Sequence, residues 1–450
     1  MSTKRISITI LIPCILVFSF GPMLYSNAAS TTNNLEFSLE SDLYNIGPEV
    51  QVSTPSSPLD FDRYHPAVAY NSNHNEYLVV WENHWPGNRD IYAQRVTSAG
   101  QRKSPWFAVS AGPNDRIHPS VTYNSAEDEY LVVWMYESSP DVYEIWGRII
   151  DWNGPGSKQE FRIIQWANRS FHDPCVAWNI KRNEYLVVWN AFDTSSNFPP
   201  GIPHDIAGYR ISADGAIQNL GSPLIFSSYS FPHQVDITYN VSNDQYFMVF
   251  TVVHTMATSG NDIYGLRVAW DGSPLGGLIE IYRDDVAGQR KHQYHPAIAT
   301  NNYDRYMVVW EHEYQSNDRD IYGREYKADG TPDGSYFTIA SWTQDDTEPD
   351  IAAFGANREW LVVWQRALPS GSGYSIHGFR WGSAGSHVYT YLFDITNIVF
   401  VEAKSPAIAA GRPGYFIVYE EIYPPAKQHI YGRIWSQSGI NLPVLMKLFP

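Results

Sequence analysis

Short apolar runs follow one another along most of the chain, with polar turns between them. The runs are rich in Val, Ile, Tyr, Trp and Phe, keep no helical period, and are bounded by Gly, Pro, Asn and Asp. Residues 65–71, 76–82 and 90–95 give the clearest example of three such runs in succession. This pattern predicts short β-strands.

The runs form a repeat of 53 to 61 residues, marked by the aromatic residue that ends the second run: Trp81, Trp134, Trp189, Phe250, Trp310, Trp364 and Tyr419. Each copy contains four strand-like pieces, and an Asp-Gly pair such as residues 214–215 often follows the third. Asp-Gly pairs favour tight antiparallel hairpins. Seven copies of four antiparallel strands predict an all-β, seven-bladed β-propeller. A parallel solenoid is the alternative, but its repeats are usually shorter and lack hairpin turns.

Two further strand-like segments flank the seven copies, at residues 49–53 and 443–446. One of them is expected to complete the last blade by pairing the two ends of the chain, because a closed ring hides sheet edges that would otherwise aggregate. We predict that the N-terminal segment does so.

The N-terminal region is typical of a secretory signal peptide. Lys4 and Arg5 precede an apolar run at residues 6–20, and small residues follow near Ala28. An uncleaved anchor is the alternative, but the run falls short of the ~20 residues that a membrane span needs. We therefore predict a signal peptide at residues 1–28, a flexible leader at 29–46 and the propeller at 47–450. The predicted protein is secreted, either extracellular or at the cell surface, and is not inserted in the membrane after cleavage.

Composition narrows the possible partners. The net charge of −16 becomes −18 once Lys4 and Arg5 are removed, which argues against nucleic acid, since a phosphate partner needs a basic face. Cleavage also removes Cys14 and leaves Cys175 alone, so no internal disulfide is expected. Cys175 occupies a position that Ala or Ser fills in other copies, and we predict an inert buried thiol.

One position per repeat carries the candidate chemistry. The residue just before the Pro (Val in the fourth copy) at the start of each first strand, called the ring residue below, is His65, His118, Asp173, Gln234, His295, Glu348 or Ser405. Either these residues hydrogen-bond backbone in the neighbouring blade, or they form a ring that binds a ligand or metal at the channel mouth. No spacing of the type His-x-x-x-His or Cys-x-x-Cys occurs, so any metal site would have to be assembled across blades, and none is predicted.

Other loop residues complete the candidate sites. Predicted ligand-binding residues are His65, His118, His295, Arg63, Arg116 and Trp85. The candidates for catalysis are His233, His254, His295, Tyr294 and Arg290, because a His/Tyr/Arg set can remove the proton beside a uronate carboxylate. The Arg that ends each third run recurs in all seven copies, which favours an architectural role, with Asp90 and its equivalents as plausible partners.

The runs Tyr-Leu-Val-Val-Trp-Glu and Asp-Ile-Tyr-Gly-Arg resemble a broad group of secreted bacterial repeat propellers, over nearly all of the chain after the leader. The resemblance implies fold and export but no catalytic residue, because most members have no assigned activity. Near-symmetric repeats favour a non-catalytic binding or scaffold protein that recognises an extracellular glycan or protein. The alternative is a carbohydrate-active enzyme of polysaccharide lyase type. No cofactor is expected, although the loop at residues 317–320 is a candidate Ca²⁺ site.

Overall fold

A computed structural model describes residues 45–53, 61–193, 203–218, 224–227, 232–253, 260–284, 291–315, 318–355, 359–369, 373–384, 387–396, 402–422 and 427–436. The predicted signal peptide, most of the predicted leader and the C-terminal strand-like segment lie outside these residues.

The described strands form seven antiparallel sheets, one for each repeat, as predicted. Blades 1 to 3 contain β3 (Arg63–Asn71), β4 (Glu76–Trp85), β5 (Asn88–Thr97) and β6 (Arg102–Ser110); β7 (Arg116–Asn124), β8 (Glu129–Ser139), β9 (Val142–Asp151) and β10 (Phe161–Ile164); and β11 (Arg169–Asn179), β12 (Glu184–Asp193), β13 (Pro203–Ser212) and β14 (Leu224–Ser227). Blades 4 to 6 contain β15 (Pro232–Asn240), β16 (Gln245–Val253), β17 (Asn261–Ala269) and β18 (Ile279–Tyr282); β19 (Gln293–Thr300), β20 (Arg305–Gln315), β21 (Asp318–Lys327) and β22 (Phe337–Ala340); and β23 (Asp346–Phe354), β24 (Glu359–Ala367), β25 (Tyr374–Ala384) and β26 (His387–Asp394).

Blade 7 joins the two ends of the chain. Its inner strands are β27 (Glu402–Ala410), β28 (Gly414–Ile422) and β29 (Gln428–Ser436), and its outer edge is made by β1 (Asn45–Ile46) and β2 (Val50–Gln51). Both N-terminal strands pair antiparallel with β29, so closure by the N-terminal segment is confirmed. The boundary of the predicted leader needs correction, because Asn45–Ile46 belong to this blade.

The first strand of each blade faces the axis of the ring. Each of these strands contacts the first strand of the next blade, and β27 of blade 7 contacts β3 of blade 1. The turns predicted from Asp-Gly pairs are present after β13, β17 and β21, where Gly215, Gly272 and Gly330 have φ angles of 80–91°. Glycine adopts this left-handed conformation without the steric cost of a side chain.

Large apolar side chains hold neighbouring blades together. In the described residues the core divides into seven clusters, and each cluster draws its members from two adjacent blades. The repeated aromatic residue is fully buried in every blade, from Trp81 to Tyr419. Flat sheets packed face to face need such large rigid side chains between them, which explains why the repeat keeps an aromatic residue there.

The repeated Arg forms hydrogen bonds within the propeller, as predicted, and in blades 1, 3 and 6 its partner is a glutamate of the same blade instead of the predicted Asp. Arg95 binds Glu76, Arg210 binds Glu184 and Arg380 binds Glu359, at 2.7–3.0 Å. These glutamates open the second strand of the same blade. The predicted partner Asp90 instead accepts a hydrogen bond from the amide of Gly112 at 3.0 Å, in the connection to the next blade.

Candidate functional site

The seven ring residues lie together at one mouth of the central channel. They and the residues that follow them line a cavity of about 530 Å³. Sites for small molecules typically enclose about 300–1,000 Å³. The side chains of His65, His118 and His295 are 46%, 40% and 43% exposed, so each imidazole is held by the protein on one side and open to the cavity on the other.

An unusual backbone conformation gives each ring residue its orientation. All seven have φ angles of 43–53°, in the left-handed region that residues other than glycine rarely adopt. The pairing with the second strand shifts register at the same point, for example between Tyr64 and Ala67. A bulge of this kind turns a side chain out of its regular direction in the sheet. Because the bulge recurs in every blade, it belongs to the repeat itself.

The amide of the ring residue is satisfied from the preceding blade. Glu420 accepts a hydrogen bond from the amide of His65, and Glu82 accepts one from the amide of His118, both at 2.7 Å. The residues that follow the repeated aromatic residue, called support residues below, are Glu82, Met135, Asn190, Thr251, Glu311, Gln365 and Glu420. All seven are buried. In blade 4 the support residue is the short Thr251, which donates to the side-chain oxygen of Gln234. That oxygen, and not Thr251, accepts the hydrogen bond from the amide of His295, at 3.1 Å.

The two interpretations of the ring position are therefore compatible. The backbone of the ring residue joins neighbouring blades, while its side chain faces the cavity. A ligand-binding role for these side chains stays a prediction.

Carboxylates fix the three histidines. The Nδ1 atom of His65 lies 2.7 Å from Glu82, and that of His295 lies 2.7 Å from Glu311, so these two histidines pair with the support residues of their own blades. His118 differs, because its Nδ1 atom pairs with Asp173 of the next blade at 3.0 Å. A carboxylate accepts a hydrogen bond from Nδ1–H, which leaves Nε2 as the ring nitrogen available to a ligand.

These pairs change the ionisation of the cavity. Burial opposes the charged form of His65, but the hydrogen bond and negative charge of Glu82 outweigh it and raise the pKa to about 8. Glu311 raises the pKa of His295 in the same way, against burial. Burial also opposes ionisation of Asp173, yet His118 holds its pKa down at about 2. Burial raises the pKa of Glu420 to about 7. The mouth thus places imidazole groups, two of them with raised pKa values, beside carboxyl groups.

Arg63 and Arg116 do not have the positions predicted for ligand-binding residues. Arg63 is fully buried, with Nη1 beside Nδ1 of His429 and 3.2 Å from the carbonyl oxygen of Phe61. Arg116 is also buried and donates from Nε to the hydroxyl of Ser110 at 2.7 Å. Both guanidinium groups bind protein atoms, because they sit two residues before the ring position, where the strand packs against its neighbours.

The remaining candidates are scattered. Trp85 is partly exposed near the end of β4, and its ring packs on Phe61 with centroids 4.6 Å apart. His233 and Tyr294 come directly before ring residues and do not line the cavity described above. Burial raises the pKa of Tyr294. His254, Arg290 and Asn317 of the candidate Ca²⁺ loop lie outside the described residues.

Among the support carboxylates, Glu311 and Glu420 were expected near the channel mouth, whereas Glu82 and a second layer of acids were missed. Glu82, Glu311 and Glu420 each directly follow the repeated aromatic residue, so comparison of the repeats with one another identifies them as equivalent. Asp236 and Asp350 come two residues after the ring position, on the channel wall. Each accepts two backbone N–H bonds at 2.7–2.9 Å, one of them from the next blade. Burial raises their pKa values to about 6 and about 7.

Cys175 occupies the same layer as Asp236 and Asp350. Its thiol donates to the carbonyl oxygen of Val235 at 3.1 Å, and burial raises its pKa well above the usual value. A thiol that stays protonated is a poor nucleophile, which agrees with the inert role predicted for it.

Comparison with solved structures finds propellers of similar size. The polysaccharide lyase Uly1 matches with a TM-score of 0.54 and 9% identity, over 87% of this chain and 100% of that one. An α-L-arabinofuranosidase from Fusarium graminearum in complex with arabinobiose matches with a TM-score of 0.50 and 12% identity, over 88% of this chain and 99% of that one. At these identities the likeness establishes the fold alone.

No protein-family model and no curated protein matches this chain. Within the described residues, we find no helix long and apolar enough to span a bilayer.

Proposed function

We propose that this chain is an exported glycan-binding propeller whose ligand enters the cavity at the channel mouth. The observation that carries the proposal is the convergence of seven polar ring residues on one cavity of about 530 Å³. Sugar rings offer many hydroxyl groups, and the ring residues supply both donors and acceptors to meet them. The prolines between them add apolar surface for the faces of the sugar.

The electrostatics of the mouth favour binding over lyase chemistry. In the lyase mechanism predicted from the sequence, an arginine neutralises the uronate carboxylate. Among the described residues that line the cavity there is no arginine. Arg319, close to His295, is itself paired with Asp345 and Glu311. Solved propellers that act on carbohydrates support a glycan as the partner in preference to a protein.

The test is a glycan array with the purified chain, followed by titration calorimetry with each glycan that binds. We expect His118→Ala and Asp173→Ala to weaken binding at least tenfold, because both side chains face the cavity. Tyr303→Ala is the matched control: this exposed aromatic residue lies in the turn between β19 and β20, at the end of the first strand remote from the ring residue. A blank array, or equal affinity for all variants, would overturn the proposal.

Catalysis at blade 5 is the second candidate, since one specific pair favours it. His295 is oriented by Glu311 at 2.7 Å and exposes its other nitrogen to the cavity, the arrangement of a general base held by a carboxylate. A lyase would raise ultraviolet absorbance when supplied with uronate polysaccharides, and His295→Ala would abolish the rise. Absence of any rise across such substrates rejects this candidate and leaves glycan binding unaffected.

A further inference from the structure

The boundary between blades 1 and 2 differs from the rest of the ring. It is the place among the ring residues where two consecutive positions both carry histidine. The imidazole rings of His65 and His118 face each other, with centroids 4.4 Å apart and planes inclined by 28°. The buried carboxylate of Glu82 lies beneath both, since Oε1 accepts from Nδ1 of His65 and from the amide of His118.

These three residues have the composition and spacing of a metal site. Potential ligand atoms of His65, Glu82 and His118 all lie within 4.8 Å of one another. Zinc bound by such ligands has bonds of about 2.0–2.2 Å, so two of its ligand atoms lie at most about 4.4 Å apart, and the three side chains must move slightly closer together to hold an ion. The set of two imidazoles and one carboxylate is that of several catalytic zinc sites, which keep one position open.

The surrounding residues support the same conclusion. Histidines that bind metals almost always pass their second ring N–H to a carboxylate or carbonyl, which fixes the ring. Asp173 has this position for His118, at 3.0 Å from Nδ1. The site opens on the cavity, so a fourth ligand can come from water or from a bound molecule.

We propose that His65, His118 and Glu82 bind one divalent transition-metal ion, best matched by Zn²⁺, at the channel mouth between blades 1 and 2. The inference does not depend on glycan binding. The mixed imidazole and carboxylate ligands suit zinc better than calcium, which takes six to eight oxygen ligands.

Blades 5 and 6 provide a natural comparison. His295 pairs with Glu311 at 2.7 Å, and Glu311 accepts from the amide of Glu348 at 2.8 Å. The geometry resembles that of blades 1 and 2, but a carboxylate replaces the second imidazole, and Arg319 binds the other oxygen of Glu311 at 2.8 Å. A zinc site that needs two histidines therefore forms at one boundary and not at the other.

The experiment is titration of the metal-free, chelator-treated chain with ZnCl₂ by calorimetry, with CaCl₂ in parallel. We expect one equivalent of Zn²⁺ per chain and no comparable uptake of Ca²⁺. His65→Gln and His118→Gln should each weaken zinc binding at least tenfold, and Asp173→Asn by about 10–100-fold, as for other residues that orient a ligand. His295→Gln, at the equivalent ring position, should leave the affinity unchanged.

A Co²⁺ spectrum and thermal melting complete the test. Cobalt in a four-coordinate site gives strong visible absorbance, which His65→Gln should abolish, and melting of the metal-free variants shows whether they still fold. If the wild-type chain takes up no zinc at micromolar concentration, the proposal is overturned. It is equally overturned if His295→Gln weakens binding as much as His65→Gln does, because the ion would then not be held between blades 1 and 2.

Discussion

The effect of Asp236 and Asp350 on stability depends on whether their carboxyl groups are protonated. Their pKa values of about 6 and about 7 exceed the ordinary value of 3.8 because burial penalises the charged form. For Asp350 the nearby charge of Asp236 adds to the effect. A raised pKa means that the folded chain binds the proton more tightly than the unfolded chain. The resulting stabilisation is complete below pH ~4 and is lost as the pH rises through 7.

This linkage predicts the behaviour of Asp350→Asn. The variant stays neutral at every pH, so its free energy of unfolding should rise relative to that of the wild type between pH 4.5 and pH 8. A shift of about three pKa units corresponds to at most ~4 kcal/mol. Guanidinium denaturation at several pH values measures the difference. Asp271→Asn, in an exposed turn where hydrogen bonds from Ser273 lower the pKa, should show no such trend above pH 5. If the difference in unfolding free energy between Asp350→Asn and the wild type does not change with pH, the raised pKa of Asp350 is contradicted.

In blades 1, 3 and 6 the second strand opens with a glutamate that binds the repeated Arg of the third strand. In blade 1 the side chain of Glu76 is fully buried and binds both Arg95 and Lys103 at 2.7 Å. The side chain of Arg95 is 9% exposed. Removing one partner of such a pair leaves the other charge buried and uncompensated. The pair therefore ties β4, β5 and the start of β6 together.

Glu76→Ala should accordingly destabilise the protein by about 3–5 kcal/mol. The matched control is Lys427→Ala, because Lys427 is half-exposed and its ion pair with Asp62 is screened by solvent. Exposed pairs contribute about 0–1 kcal/mol. Denaturation midpoints of the two variants and the wild type give the comparison. Equal midpoints for Glu76→Ala and Lys427→Ala would show that the buried pair contributes no more than a surface pair.

The second and third strands of blade 1 show why some contacts were predictable from the sequence and others were not. Alternation of apolar runs and Asp-Gly turns depends on local backbone preference, so strands and blade number follow from the sequence. The partner of Arg95 does not, because Glu76 and Asp90 both lie near it along the chain and only the strand register decides between them. The burial of Arg63 and Arg116 was not predictable for a similar reason: a polar segment between two predicted strands favours exposure, and only the packing of the strands buries it.

The site was predictable in position but not in detail. Ring residues occupy equivalent places in a repeat, and equivalent places meet about an axis. The left-handed bulge determines which carboxylate approaches which histidine. The local sequence around His65 or His118 does not predict a φ angle near 50°. The pairing of His118 with Asp173, rather than with its own support residue Met135, arises from that geometry.

Closure of the ring depends on nine described residues at the N-terminal end of the propeller. β1 and β2 pair with β29, and Val52 is fully buried between blades 7 and 1. Glu49 adds a link at 2.8 Å to the hydroxyl of Tyr419. Without this segment, blade 7 has three strands, and β29 becomes an exposed edge that another chain can pair with. The segment thus stabilises the ring and protects it from association.

Deletion of residues 1–53 tests this role. We expect a loss of several kcal/mol, to which the burial of Val52 alone contributes about 1.5–3 kcal/mol, and we expect the truncated chain to self-associate. The matched control is deletion of residues 1–42, which leaves β1 and β2 in place. Thermal melting measures the stability and light scattering measures the association. A synthetic peptide of residues 43–54, added in excess, should raise the melting temperature of the shorter chain, because binding to the folded form alone stabilises it. If both truncated chains melt alike and stay monomeric, the N-terminal strands do not close the propeller in the way that their pairing indicates.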